Sequence, residues 1–507
     1  MKGNSKKRFR INVGLKSSVV LLLATFITHA MSFITTPIFT RIMSVEEYGL
    51  VAQYNSWLNI ITIFATLSLA AGVFQVAMNE FSDDRNRYTF SSLILSNAIT
   101  TILFLFIFIF NDFFCKLFEL PLSLLIIMYL YLMLYPAMNT WLARQRYEYN
   151  YKRVFLISVG SAIISQIVAV VMVLNVKGIN LGIVKIWATA GSLCLASLII
   201  YLSIAFRSHF VPKFSYIKFA FLFNAPLIVH YLAQYILHST DKIMITHFLG
   251  EGATGIYSLG VTVATLATIL WSAMSASLTP YIYQHLNVKD YSGINKVVCS
   301  IELFFGIGCV FVSLVGPEVV YLLGSEKYMS GIQLIPPIAA SCLVKAVYDF
   351  YSTIAFYHHK RFSTALMTLI AAAINIVLNS ILIPRYGIIA AAYTTEISYL
   401  VYSVLHFINY RIIVKKDRIY NDILIFTILV GCSVLCILSG LLYDYLIVRY
   451  IILGVGVLIL LCFSKKIFTF LKKSLIKKPE YGNDQQSCDE ADDSQHFRKD
   501  LKDESEL

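Results

Sequence analysis

Charge is scarce along this chain. Only 14% of its 507 residues are Asp, Glu, Lys or Arg, while 58% are hydrophobic and the mean hydropathy is +0.71. A soluble chain of that length divides into domains joined by polar linkers. Here no long linker appears before the tail, and apolar runs recur to about residue 470. Paired cysteine motifs are also missing. The nine cysteines are scattered, without a CxxC pair or a Cys/His metal spacing, so neither disulfide nor metal is assigned, and no cofactor. Cys432 and Cys436 share a helix face and read as packing. No P-loop, HExxH or Ser-His-Asp arrangement occurs, and no loop between apolar segments reaches about 25 residues. That argues against an enzyme with a large external catalytic loop. The net charge of +12 is dispersed among short loops rather than gathered in a basic domain, which argues against a nucleic-acid partner.

What is present is a series of apolar segments. Crossing ~30 Å of hydrocarbon takes roughly 20 helical residues. Fourteen segments meet this, near 17–40, 48–77, 89–110, 122–143, 154–174, 179–205, 219–240, 254–280, 297–322, 331–357, 362–383, 387–410, 421–442 and 446–464. The expected fold class is an all-α integral membrane protein. The basic start, Met1 to Lys16, precedes a run too long for a signal peptide, so residues 17–39 are expected to remain as the first span.

The basic residues test this count. Thirty-two Lys and Arg fall at the N-terminus, the C-terminus and alternate loops, and seven fall in the opposite loops. By the positive-inside rule both termini are cytoplasmic. Lys185 and Lys345 fit neither side, and a cation within hydrocarbon costs roughly 3 kcal/mol or more unless a cavity, partner or substrate receives it. Beyond Lys478 the sequence turns polar and mixed in charge, which predicts disorder over 471–507.

The chain also repeats itself. PIFTRIMSVEEYG (Pro37 to Gly49) echoes IMITHFLGEGATG (Ile243 to Gly255) at an offset of 206, aligning Thr40 with Thr246, Arg41 with His247 and Gly49 with Gly255. KGINLG (Lys177 to Gly182) echoes YGIIAA (Tyr386 to Ala391) at an offset of 209. Two lobes of six spans are expected, 17–210 and 211–415, related by a pseudo-two-fold along the membrane normal. A cytoplasmic segment, 1–16, precedes them, and two extra helices, 416–470, follow.

The stretch FITTPIFTRIMSVEEYGLVAQYNSW (Phe33 to Trp57) resembles the opening of the polysaccharide-transport branch of the multidrug/oligosaccharidyl-lipid/polysaccharide exporter superfamily. The seventh-span pattern of that branch falls on Pro226, Asp241, Lys242, Gly255 and Tyr257, and Tyr386-Gly387-Ile388 fits the step before the twelfth span. The resemblance implies a flippase for undecaprenyl-pyrophosphate-linked oligosaccharide, as in O-antigen, capsule or exopolysaccharide assembly. It also implies membrane lipid, a polysaccharide polymerase and chain-length machinery as partners, and location in a bacterial inner membrane. An ion-coupled multidrug exporter of the same superfamily is the alternative.

Moving a pyrophosphate through hydrocarbon calls for a hydrated cationic cavity. Lys345 lies deep in the tenth span and is a candidate pyrophosphate contact, with Asp349 one turn away as a competing structural partner. Lys185 sits near the outer end of the sixth span, where it either faces the lumen or snorkels to the interface. Arg41 and the Asp241–Lys242 pair, at the outer ends of the first and seventh spans, form a candidate headgroup site or gate. Glu396, Asp241, Asp349 and His230 are candidates for ion coupling or gating. His238 shares a face with His230, and both read more readily as core histidines. Glu302 reads as solvated near the cytoplasmic end.

Overall fold

The computed structural model describes residues 4–70, 72–225, 227–358, 360–415 and 418–458. Among these every regular element is helical. The first group comprises α1 (Asn4–Ile42), α2 (Val45–Thr66), α3 (Gly72–Glu80), α4 (Arg85–Ile109), α5 (Asn111–Phe118), α6 (Leu122–Tyr147), α7 (Tyr151–Asn175) and α8 (Leu181–Arg207). The second comprises α9 (Phe214–Asn224), α10 (Leu227–Leu249), α11 (Glu251–Asn287), α12 (Tyr291–Gly324), α13 (Ile335–Tyr357), α14 (Arg361–Tyr386) and α15 (Ile388–Val414), followed by α16 (Asp422–Ser439).

The two groups are built alike. α2 and α11 begin at residues 45 and 251, and α4 and α12 at residues 85 and 291, an offset of 206 in both cases. Packing repeats as well: α6 on α8 is matched by α13 on α15, α7 on α8 by α14 on α15, and α1 on α7 by α10 on α14. Each group buries its own apolar core. One is centred on Phe104, Leu124 and Met128, the other on Phe305, Leu343 and Tyr351. α16 packs on α12 and α13 in the second group.

Outward faces are apolar rather than polar. Ile102, Leu156, Leu195 and Ile199 are each about 70% exposed, an arrangement that water would penalise and lipid accepts. This is a multi-pass membrane protein. Among the described residues eleven helices are long and apolar enough to cross a bilayer, and α9 with α10, at 50° to each other, makes a twelfth if counted as one span.

Fourteen continuous spans are therefore not what the structure displays. The expected second span, 48–77, is divided by left-handed backbone at Leu67 and Ser68 into α2 and α3. α2 does not qualify as an apolar span because Gln53, Asn55, Asn59 and Thr62 give it polar character, and its neighbours α4, α8, α10 and α11 shield it from lipid. The expected last span, 446–464, is described only as the apolar helix Leu446–Leu458, and the expected disordered tail lies outside the described residues.

Candidate functional site

The two bundles meet where the chain carries few basic residues, and glycine sets the distance. A methyl group at Gly49 would lie 1.8 Å from the Glu251 carbonyl oxygen, and one at Gly255 would lie 2.2 Å from the Val45 carbonyl oxygen. Residues 45 and 251 are repeat mates, as are 49 and 255, so the contact is reciprocal in the manner of a two-fold interface. The small cluster here, with Tyr48 edge-on to Tyr328 at 5.9 Å, joins the bundles without merging their cores. Around it, the Thr40 hydroxyl donates to the Leu323 carbonyl, and Arg41, which is exposed, donates to the Leu322 carbonyl at 3.3 Å. On the symmetry-related side His247 contacts Glu119 at 2.9 Å.

Below this seam lies a cavity of about 340 Å³ between the bundles, walled by α1, α2, α6, α7, α8, α10 and α11. Lys185 and Lys242 both line it, and among the described residues no Asp or Glu does. Local sequence places Lys185 there. Ser44 and Glu47 form a capping box at the start of α2, and the second oxygen of Glu47 accepts the Leu181 amide at 2.6 Å. Gly182 lets α8 pack tightly there, since a methyl would meet the Glu47 carbonyl oxygen at 2.5 Å. One turn of α8 then brings the Lys185 ammonium to 3.9 Å from the Phe39 ring centroid and 5.1 Å from that of Tyr48. Desolvated contacts of this kind are worth about 2 kcal/mol, and Lys185 is held inside rather than snorkelling to an interface. Lys242, expected in a loop, is instead seven residues inside α10. Tyr54 also lines the cavity, and its buried hydroxyl has no hydrogen-bond partner among the described residues.

Asp241, adjacent to Lys242, faces the other way. It is 4% exposed and accepts hydrogen bonds from Tyr257 of α11 at 2.9 Å, Asn379 of α14 at 2.7 Å and Thr395 of α15. Asn379 also donates to Asn375 at 3.1 Å and accepts from Thr394. Four helices of the second bundle thus converge on one carboxylate, which is an acceptor at every contact. The sequence placed Asp241 at an outer gate; the structure places it in a bundle interior.

The other candidates are dispersed. Lys345 is half-buried on α13, lines neither of the two interbundle cavities and makes no ion pair among the described residues. Asp349, one turn away, forms no ion pair with it at contact distance; its carboxylate accepts the Trp271 indole N–H at 2.6 Å. Glu396 is half-buried on α15, on a face flanked by exposed Tyr393, Ile397 and Leu400, apart from the Asp241 network. The His230 side chain lies outside the described residues, and His238 lies 3.4 Å from the Tyr399 hydroxyl. Glu302 is not solvated. It is fully buried, and neither oxygen has a hydrogen-bond partner among the described residues.

A second cavity, about 500 Å³, adjoins the first and shares Leu58 and Tyr131 with it. Its Asn59, Tyr135 and Asn139 were not singled out from the sequence. The available signal was Asn55 and Asn59, two amides one turn apart in an otherwise apolar segment.

Two like-built helical bundles with a polar cavity between them make up the membrane-spanning body. Solved structures agree on the fold. A lipid II flippase MurJ in an inward closed conformation matches with a TM-score of 0.61 at 15% identity, over 90% of this chain and all of that one. An inward-facing multidrug resistance MATE family transporter of the MOP superfamily matches with a TM-score of 0.61 at 15% identity, over 79% of this chain and 97% of that one. The chain belongs to the polysaccharide biosynthesis protein family, whose pattern matches residues 15–285. Among curated proteins it is 24% identical over 214 residues to a probable low-salt glycan biosynthesis flippase of Haloferax volcanii, covering 38% of this chain and 42% of that protein. It is 28% identical over 107 residues to Lsg locus putative protein 1 of Haemophilus influenzae, covering 20% and 27%. The matches thus span under half the length of either relative.

Proposed function

We propose that the protein is a flippase carrying undecaprenyl-pyrophosphate-linked oligosaccharide, for O-antigen, capsule or exopolysaccharide, from the cytoplasmic to the outer face of a bacterial inner membrane. The observation that carries this reading is the interbundle cavity holding Lys185 and Lys242 with no carboxylate among the described residues of its wall. Two ammonium groups inside apolar protein are stabilised by an anion of matching charge, and a pyrophosphate is such an anion. A cavity selected for cationic drugs would favour the opposite sign. The family and the flippase relative support the same substrate class.

In this reading the units that move are 17–210 and 211–415, with 416–470 accessory and both termini cytoplasmic. The lightly charged seam is then the outer gate, with Arg41 on its rim. Asp241 is the ion-coupling residue, a role its three hydrogen-bond donors suit by ordering a carboxylate that a proton or cation would disorganise. Glu396 and Asp349 have no part in it. The cycle breaks no covalent bond, and a polymerase with chain-length machinery takes up the product.

Deleting the gene is expected to leave lipid-linked glycan on the cytoplasmic leaflet. Reintroduced wild type should restore outer display; a Lys185→Ala, Lys242→Ala chain of equal abundance should not. Normal display in the deletion strain, with no other flippase present, refutes the reading.

A further inference from the structure

We propose that the second cavity is a subsite for uncharged sugar, receiving the part of the glycan attached to the pyrophosphate; this rests on the flippase reading above. The two cavities are contiguous through Leu58 and Tyr131, and Asn55 of the first stands one helical turn from Asn59 of the second. A turn is ~5.4 Å along the axis, a separation suited to a phosphate and the sugar bonded to it. At about 500 Å³ the chamber is within the roughly 300–1,000 Å³ usual for small-ligand sites.

Among the described residues its lining contains no Asp, Glu, Lys, Arg or His. It is nonetheless rich in hydroxyls and amides. Thr62, Thr66 and Thr140 donate their hydroxyl protons to carbonyls of their own helices, at 2.6, 2.8 and 2.9 Å, which leaves oxygen lone pairs for other donors. Asn59 and Asn139 add amides that are both donors and acceptors. Ser96 is 1% exposed, lines the chamber and has no hydrogen-bond partner for its hydroxyl among the described residues. Tyr131 and Tyr135 stack with centroids 4.4 Å apart and planes 19° apart, which makes a flat aromatic wall. Tyr235 of α10, in the second bundle, also lines the chamber.

Neutral sugars offer hydroxyls for the polar groups and C–H faces for the rings. A uronate or a phosphorylated sugar offers a charge for which this chamber has no partner, and an unpaired buried charge is strongly disfavoured. The structure therefore divides recognition in two: the first cavity takes the charged linkage, and the second selects for a neutral sugar beside it.

Binding to the purified full chain in lipid nanodiscs tests this with three probes. They are inorganic pyrophosphate, geranyl pyrophosphate carrying N-acetylglucosamine, and the same carrier bearing glucuronic acid. Wild type is expected to bind the neutral probe at least about tenfold more tightly than the uronate probe. Asn59→Ala with Asn139→Ala should weaken the neutral probe by about tenfold and leave inorganic pyrophosphate within about twofold, which also verifies the fold. Equal binding of the two glycosylated probes overturns the subsite. So does an Asn variant that binds the neutral probe like wild type, or one that loses pyrophosphate by the same factor. A Lys185→Ala, Lys242→Ala chain that still binds pyrophosphate like wild type overturns the flippase reading as well, and so separates the two failures.

Discussion

Gly49→Ala is the sharpest perturbation of the seam between the bundles. The new methyl would sit 1.8 Å from the Glu251 carbonyl oxygen, whereas carbon and carbonyl oxygen approach to about 3.3 Å. Backbone lies on both sides, so no rotamer change relieves the overlap, and α2 must move from α11 by about 1.5 Å. Overpacking of this kind costs ~1–3 kcal/mol. States in which the seam has parted do not bear that cost, and 2 kcal/mol shifts their population by about 30-fold. The assay is labelling of Asn55→Cys, in the cavity wall, by an impermeant maleimide applied from the lightly charged side, with the unsubstituted chain as background. Gly255→Ala should act similarly, its methyl falling 2.2 Å from the Val45 carbonyl. The double variant should add little, because one separation relieves both overlaps. Wild-type labelling with an unchanged Tm refutes the close contact. A lowered Tm with wild-type labelling means the bundles absorb the strain internally, which refutes the gate.

Lys185→Met should lower flipping in reconstituted vesicles by at least about tenfold, with Lys185→Arg retaining more. Glu119→Gln removes an exposed cross-bundle contact to His247 worth ~0.2–1 kcal/mol, so Asn55→Cys labelling should change by less than about fivefold, and less still in high salt. Trp271→Phe deprives Asp349 of its indole donor and should cost about 1–3 kcal/mol, seen as a lower Tm. Asp241→Asn sets amide hydrogens against the donors of Tyr257, Thr395 and Asn379; transport should cease to depend on the ion gradient, with a stability loss of about 1–3 kcal/mol.

The repeat was legible because the structure uses it as a contact. Gly49 and Gly255 aligned at an offset of 206, and these repeat mates touch each other where the bundles meet. Spans were legible where lipid surrounds the helix and blurred where it does not: α2 is polar because it lines cavities. Lysine positions misled for a different reason. Depth along a helix follows from rise per residue, but the direction of a side chain depends on neighbours far away in sequence. Lys185 looked shallow enough to snorkel, yet Phe39 and Tyr48 hold it in the cavity. Lys242 looked peripheral and lines the same cavity. Lys345 looked central and lines neither interbundle cavity. Likewise Glu302 looked solvated because only its distance from a helix end was readable.

Asp241 and Lys242 show how two tasks are joined by a single peptide bond. Successive helical residues point about 100° apart, so α10 presents a carboxylate to the interior of its own bundle and an ammonium to the cavity between bundles. Tyr257, Asn379 and Thr395 fix the carboxylate, and through it the rotation and height of α10. Whatever loosens that network must also displace Lys242, since the helix between them is rigid. Coupling of this kind is reciprocal: in the proposed cycle an anion that drew Lys242 towards Lys185 would strain the Asp241 contacts, and their rearrangement would change the grip on the anion. The Thr246 hydroxyl, 2.7 Å from that of Thr254, ties the same stretch of α10 to α11, and α11 carries Gly255 of the seam. One helix–turn–helix thus links the buried carboxylate, the cavity cation and the outer contact, so the three cannot change independently.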